Sequence, residues 1–135
     1  MALSSDAGAA VTNGGAGGRL SIAAPVCSQA PRIDGVLDDP AWKQAYHTED
    51  FWNTDDRCAA GERTEAWVCV DGSALYVAVY CHDSHPGDIQ RQETKRGGHI
   101  WQDDFIEIGV DTYHTGERIY WFHVTANGTQ HDDIP

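Results

Sequence analysis

Positive charge is scarce in this chain: nine lysines and arginines stand against 21 aspartates and glutamates, for a formal net charge of -12. A field this acidic repels a nucleic-acid backbone and an anionic membrane surface, and leaves divalent cations and neutral polar ligands as compatible partners. Long apolar runs are missing too, with none approaching the roughly 20 residues that span a bilayer, so no membrane insertion is expected. Residues 1–10 carry neither the basic end nor the hydrophobic segment of a secretory signal. Catalytic signatures are absent: there is no Gly-x-Ser-x-Gly elbow, His-Glu-x-x-His helix, phosphate loop or dinucleotide fingerprint. Acid pairs such as Asp38/Asp39 and Asp103/Asp104 occur, but adjacent side chains diverge, and glycoside hydrolysis needs two carboxyls converging on one bond. These absences argue against an enzyme.

Cysteine is present but not in a Cys-x-x-Cys spacing, which removes the usual zinc-ribbon patterns. Of Cys27, Cys58, Cys69 and Cys81, the last two fall on opposite faces of a hairpin closing at Asp71-Gly72, so a bridge between them is disfavoured. A Cys27–Cys58 bridge stays open, beside the simpler expectation of buried free thiols.

What is present is mostly strand. Residues 1–24 are rich in Ala, Gly, Ser and Thr, with glycines at 8, 14, 15, 17 and 18. They bury too little apolar surface to offset the entropy of ordering and read as a disordered linker or expression remnant, leaving 25–135 as one domain. Pro25–Ala30 suits a short edge strand. Gly35 then supplies a turn, and Asp38 or Asp39 is placed to cap a short helix with Pro40 at an early position and Trp42 and Ala45 facing inward. Thr64–Val70 and Leu75–Cys81 form the clearest hairpin, with β-branched and aromatic residues on both sides of Asp71-Gly72-Ser73-Ala74. After a charged, irregular stretch at 90–99, Trp101–Asp111 runs from an acidic turn into an alternating strand. Ile106, Ile108 and Val110 share one face of it, while Phe105, Glu107 and Gly109 share the other. Ile119–Thr125 is a further strand, and Asn127-Gly128 is a strong reversal signal. Four strands plus edges and no long amphipathic helix describe an all-β, antiparallel β-sandwich. Its closing strands are missing from this count, so the pattern reads as a truncated sandwich or one completed by another chain.

The candidate ligand platform is Trp101, Glu107, Trp121 and His123. Aromatic faces beside a few fixed polar groups suit a neutral ring such as a sugar, offering apolar contact and hydroxyl recognition together. The competing reading makes Trp121 part of an inner face and His123 a hydrogen-bonded core or rim residue. Trp52, ahead of the polar stretch 53–61, either stacks on a ring-shaped ligand or packs under its own loop. Asp83, Asp88 and Asp103, with Asp104 and Asp111, stand at loop–strand junctions where carboxylate oxygens could wrap calcium. His82 and His85 are weak candidates for a softer metal and read as surface histidines.

Together, Pro31–Trp42, the hairpin with Leu75-Tyr76-Val77-Ala78-Val79, Trp101–Asp111 and Phe122–Gly128 resemble the family 9 carbohydrate-binding modules and their DOMON-like β-sandwich relatives. The resemblance implies a non-catalytic sandwich with structural calcium, attached to a glycoside hydrolase or another bacterial protein of the secreted, periplasmic or cell-envelope space. It also implies binding of a polysaccharide or oligosaccharide, a β-glucan or xylan held at its reducing end. The family's tryptophan before the Asp-containing turn and its glutamate in the next strand match Trp101 and Glu107. The family's neighbouring arginine is matched by His123, and its second tryptophan falls past the end of this chain. Relatives that carry haem in electron transfer offer a further reading, for which Met1 is the sole methionine and two histidines would have to serve. A structural or protein-interaction sandwich with no sugar ligand, paired through an open strand edge, is the remaining alternative. Asn127-Gly128-Thr129 matches a glycosylation acceptor but reads as a turn.

Overall fold

A computed structural model of the chain describes residues 11–13, 20–49, 51–53 and 55–134, in two compact units divided between Asp83 and Ser84. The sheets are antiparallel throughout, and the protein is all-β, of the β-sandwich class.

The first unit opens with a small ribbon of β1 (Val11–Asn13) and β2 (Leu20–Ile22). It lies inside the segment expected to be a linker, of which residues 1–10 and 14–19 are outside those described. One short helix, α1 (Pro40–Gln44), leads into β3 (Tyr46–Thr48). A second ribbon of β4 (Trp52–Asn53) and β5 (Cys58–Ala59) precedes the hairpin of β6 (Thr64–Val70) and β7 (Leu75–Cys81). β3, β6 and β7 form a three-stranded sheet in that order.

The hairpin has its expected bounds, and its turn explains the register. Asp71 accepts the backbone N–H of Ser73 at 2.7 Å and of Ala74 at 2.8 Å, and takes the Tyr76 hydroxyl at 2.7 Å. The Ser73 N–H first, then the Tyr76 hydroxyl, hold its carboxyl down to about 2. Cys69, Trp67, Tyr76 and Ala78 share one face and pack with Cys27, Ala41, Trp42, Leu37 and Ala45.

Three local expectations are corrected. The edge strand over Pro25–Ala30 reduces to one parallel bridge, Val26 to Val70, because only Pro25 and Cys27 find backbone partners there. Asp39 occupies the N-cap position of α1 but makes no side-chain cap bond. Its carboxylate instead accepts the backbone N–H of Arg32 at 3.2 Å. The expectation of buried free thiols holds for Cys27 and Cys69, but Cys58 and Cys81, also free, are exposed, and the open Cys27–Cys58 alternative does not form.

The second unit is a three-stranded sheet of β8 (Phe105–Val110), β9 (Tyr120–Thr125) and β10 (Gln130–Asp133), with β9 in the middle. β10 lacks the alternation that marks a strand. It forms because the turn at Gly128, φ +82°, returns the chain to pair along β9. The irregular stretch before β8 is fixed by carboxylates used as backbone acceptors. Asp103, itself buried, takes the N–H of Gln92 and of Glu93, and Asp104 takes that of Gln90. Glu93 accepts from Thr94, Lys95 and His99, and its carboxyl is lowered by the Lys95 N–H above all. The Glu93 carbonyl in turn receives Thr129 Oγ1 at 2.7 Å and Asn127 Nδ2 at 2.9 Å.

Candidate functional site

The acidic turn ahead of β8 positions the first candidate. The Asp103 N–H donates to the Ile100 carbonyl at 2.9 Å, closing a four-residue turn. Ile100 and Asp103 are the buried ends of that turn, which leaves Trp101 at its outer corner, 50% exposed. The inner edge of its indole meets Phe105, His123 and His131 edge-on, with centroids 5.8, 5.3 and 5.4 Å away.

Cross-strand register supplies the polar partner. Glu107 on β8 lies opposite His123 on β9, and their Oε2 and Nε2 are 2.8 Å apart. A carboxylate only accepts, so Nε2 carries the hydrogen. The His123 side chain is 1% exposed and that of Glu107 45%, so the histidine is an internal prop and the carboxylate faces outward. His123 Nδ1 is buried without a hydrogen bond among the described residues, so the contact to Glu107 is the polar contact that orients the ring. Trp121 occurs one pleat further along the same face. It stands opposite Gly109, where a Cβ would come within 2.5 Å of the indole. That close approach lets the ring cover the strand.

Trp101, Glu107 and His123 are thus brought together, with Trp121 beside them. Phe105 and His131 complete the aromatic cluster, and His131 also reaches the Gly98 carbonyl at 3.2 Å. Phe105 shares the parity of Glu107 and could have been included from sequence. His131 could not, because its strand has no sequence signature. Trp52 stands in β4 of the first unit, 63% exposed. The arrangement is a platform: an open indole face beside an outward carboxylate. A recess of about 310 Å³ elsewhere in this unit is lined by Thr94, Arg96, Asn127, Gly128, Thr129 and Gln130, and none of the platform residues contributes to it.

Of the calcium candidates, Asp103 has its carboxylate contacts resolved. It directs both of its carboxylate oxygens to backbone N–H groups. Oxygens already aimed at N–H donors are not arranged as a calcium cage, which gathers six to eight of them on one point. Among the described residues, the group of three His, Cys, Asp or Glu side chains able to hold a metal ion is His47, Glu49 and Glu65 in the first unit.

The fold defines a class, an all-β module of the β-sandwich type. The family model described as carbohydrate family 9 binding domain-like matches residues 33–129, and the chain belongs to that family. It is therefore a non-catalytic module of the carbohydrate-binding class. Comparisons with curated proteins and with solved structures gave no match.

Proposed function

We propose that this module recognises β-glucan or xylan chains at their reducing ends, with the Trp101 indole as the stacking face and Glu107 as the acceptor for sugar hydroxyls. The observation that carries this reading is the half-exposed indole fixed 5.3 Å from His123, the residue that aligns Glu107 beside it. A pyranose ring has an apolar C–H face and a rim of hydroxyls, which matches an indole flanked by a carboxylate. On the same reading the partner protein is a glycan-degrading enzyme and the setting is secreted, periplasmic or cell-envelope.

Calorimetric titration with glucose, cellobiose, xylobiose and reduced-end cellobiose tests the assignment. Binding of intact but not reduced cellobiose supports reducing-end recognition. Absence of heat with every sugar, from a cooperatively melting sample, removes the sugar assignment. One observation favours a protein-interaction role instead: Phe122 and Val124, on the other parity of β9, are 46% and 43% exposed. In that case a Phe122→Ser variant would lose partner capture while leaving sugar titrations flat.

Structural calcium among the acidic loops has a test of its own. Calcium added to chelator-stripped protein should raise the melting temperature if an ion is bound selectively by the folded state. An unchanged melt dismisses it.

A further inference from the structure

The sheet of β3, β6 and β7 has a second character at the end of the face that carries its core. Trp67 and Cys69 on β6 are packed, whereas at the same parity Glu65 is mostly covered and Arg63, just before the strand, reaches solvent. β3 brings His47 opposite Trp67, and their rings stack at 4.7 Å with 21° between planes. The N–H of His82, just past β7, donates to the Arg63 carbonyl at 2.9 Å, which sets the His82 ring beside Glu65. His47, Glu49 and Glu65 therefore bring one imidazole and two carboxylates to one spot, and His82 holds the other oxygen of Glu65.

We propose that this spot is a binding site for zinc or a similar borderline divalent transition metal, with His47, Glu65 and Glu49 as ligands and His82 orienting Glu65 through its other oxygen. The ligand atoms of His47, Glu49 and Glu65 lie within 4.8 Å of one another. His47 Nε2 is 3.0 Å from Glu65 Oε2, and His82 Nε2 is 2.9 Å from Glu65 Oε1. Two ligands on one tetrahedral zinc, each about 2.0–2.1 Å from the ion, are separated by about 3.3 Å, so the His47–Glu65 pair already has nearly the required spacing. Glu65 has a side chain only 13% exposed and is held from both sides, while His47 is 37% exposed and open to an incoming ion. Imidazole nitrogen selects the zinc class over calcium, which prefers oxygen alone.

Charge fits as well. Arg63 sits on Glu49 through two bonds of 2.8 and 2.9 Å and touches Glu65 at 3.1 Å. One guanidinium against two carboxylates leaves a negative balance, and for an ion to bind Arg63 keeps one oxygen of Glu49 and releases the other together with its Glu65 contact. Binding uses the Nε2 lone pair of His47, so the hydrogen now facing Glu65 moves to Nδ1. An ion here would pin β3 to β6, independently of any sugar.

Zinc chloride titrated into chelator-stripped protein, followed by calorimetry and by thermal melting, is the test. One zinc per chain with a raised melting temperature is expected, undisturbed by excess calcium. His47→Ala and Glu65→Gln should each weaken zinc by at least about tenfold, and His85→Ala should not. His47→Ala changes an exposed residue, so its own metal-free melt should remain cooperative. A wild-type protein without a zinc response, displacement of zinc by calcium, or undiminished zinc binding in both variants overturns the assignment.

Discussion

Both units set a histidine against a glutamate on a sheet face beside a tryptophan, and the two trios are inside out relative to each other. In the first, Trp67 is packed with the core, Glu65 is mostly covered and His47 looks outward. In the second, His123 is covered, while Glu107 and Trp101 look outward. The pair distances are nearly equal, 3.0 and 2.8 Å. Exposure decides the chemistry: an outward imidazole offers a lone pair to a cation, and an outward indole and carboxylate offer a surface and an acceptor to a ring.

The sharpest way to break this contrast is to truncate both histidines. His123→Ala removes a buried ring and leaves Glu107 unguided, and should cost about 2–4 kcal/mol in denaturant unfolding. His47→Ala should cost less than about 1 kcal/mol, since exposed ion pairs contribute little. Equal losses would show that the inversion has no energetic meaning. Next comes Trp101→Ala, which should weaken sugar binding by at least about 2 kcal/mol, roughly 30-fold, while the fold persists. Calorimetry on the variant checks it, and undiminished affinity would remove Trp101 from the platform.

Gly109→Ala is smaller and purely steric. Its Cβ would fall 2.5 Å from the Trp121 ring, so about 1–3 kcal/mol of overpacking is expected, with a shifted Trp121 fluorescence spectrum. The smallest effect concerns acid. Asp71 ionises near 2 in the folded chain against an ordinary 3.8, so its contribution to stability is complete above 3.8 and fades as pH falls toward about 2. Asp71→Asn should flatten that part of the pH–stability curve, measured by urea midpoints between pH 5 and roughly 2.

The sequence made some of this legible and hid the rest for identifiable reasons. The hairpin at 64–81 was readable because β-branched alternation and a turn aspartate agree. Trp101 and Glu107 were readable through the alternation of 105–110 and the acidic turn before it. His131 was not, because Gln130–Asp133 is polar throughout and becomes a strand only by backbone pairing. The His47/Glu65 cluster escaped for a related reason: β3 is three residues long, and its register against β6 fixes which side chains meet. Asp39 was misread because a nearby Arg32 N–H outcompeted the helix for its carboxylate.

The four thiols divide evenly, Cys27 and Cys69 inside and Cys58 and Cys81 outside. Burial first, and the neighbouring Cys27 second, raise the Cys69 thiol to about 11, so it is protonated as well as shielded. The native protein is therefore its own counter of unfolding. Brief exposure to an alkylating reagent should add two labels to folded molecules and four to unfolded ones, and intact mass alone would then report the folded fraction in any mixture.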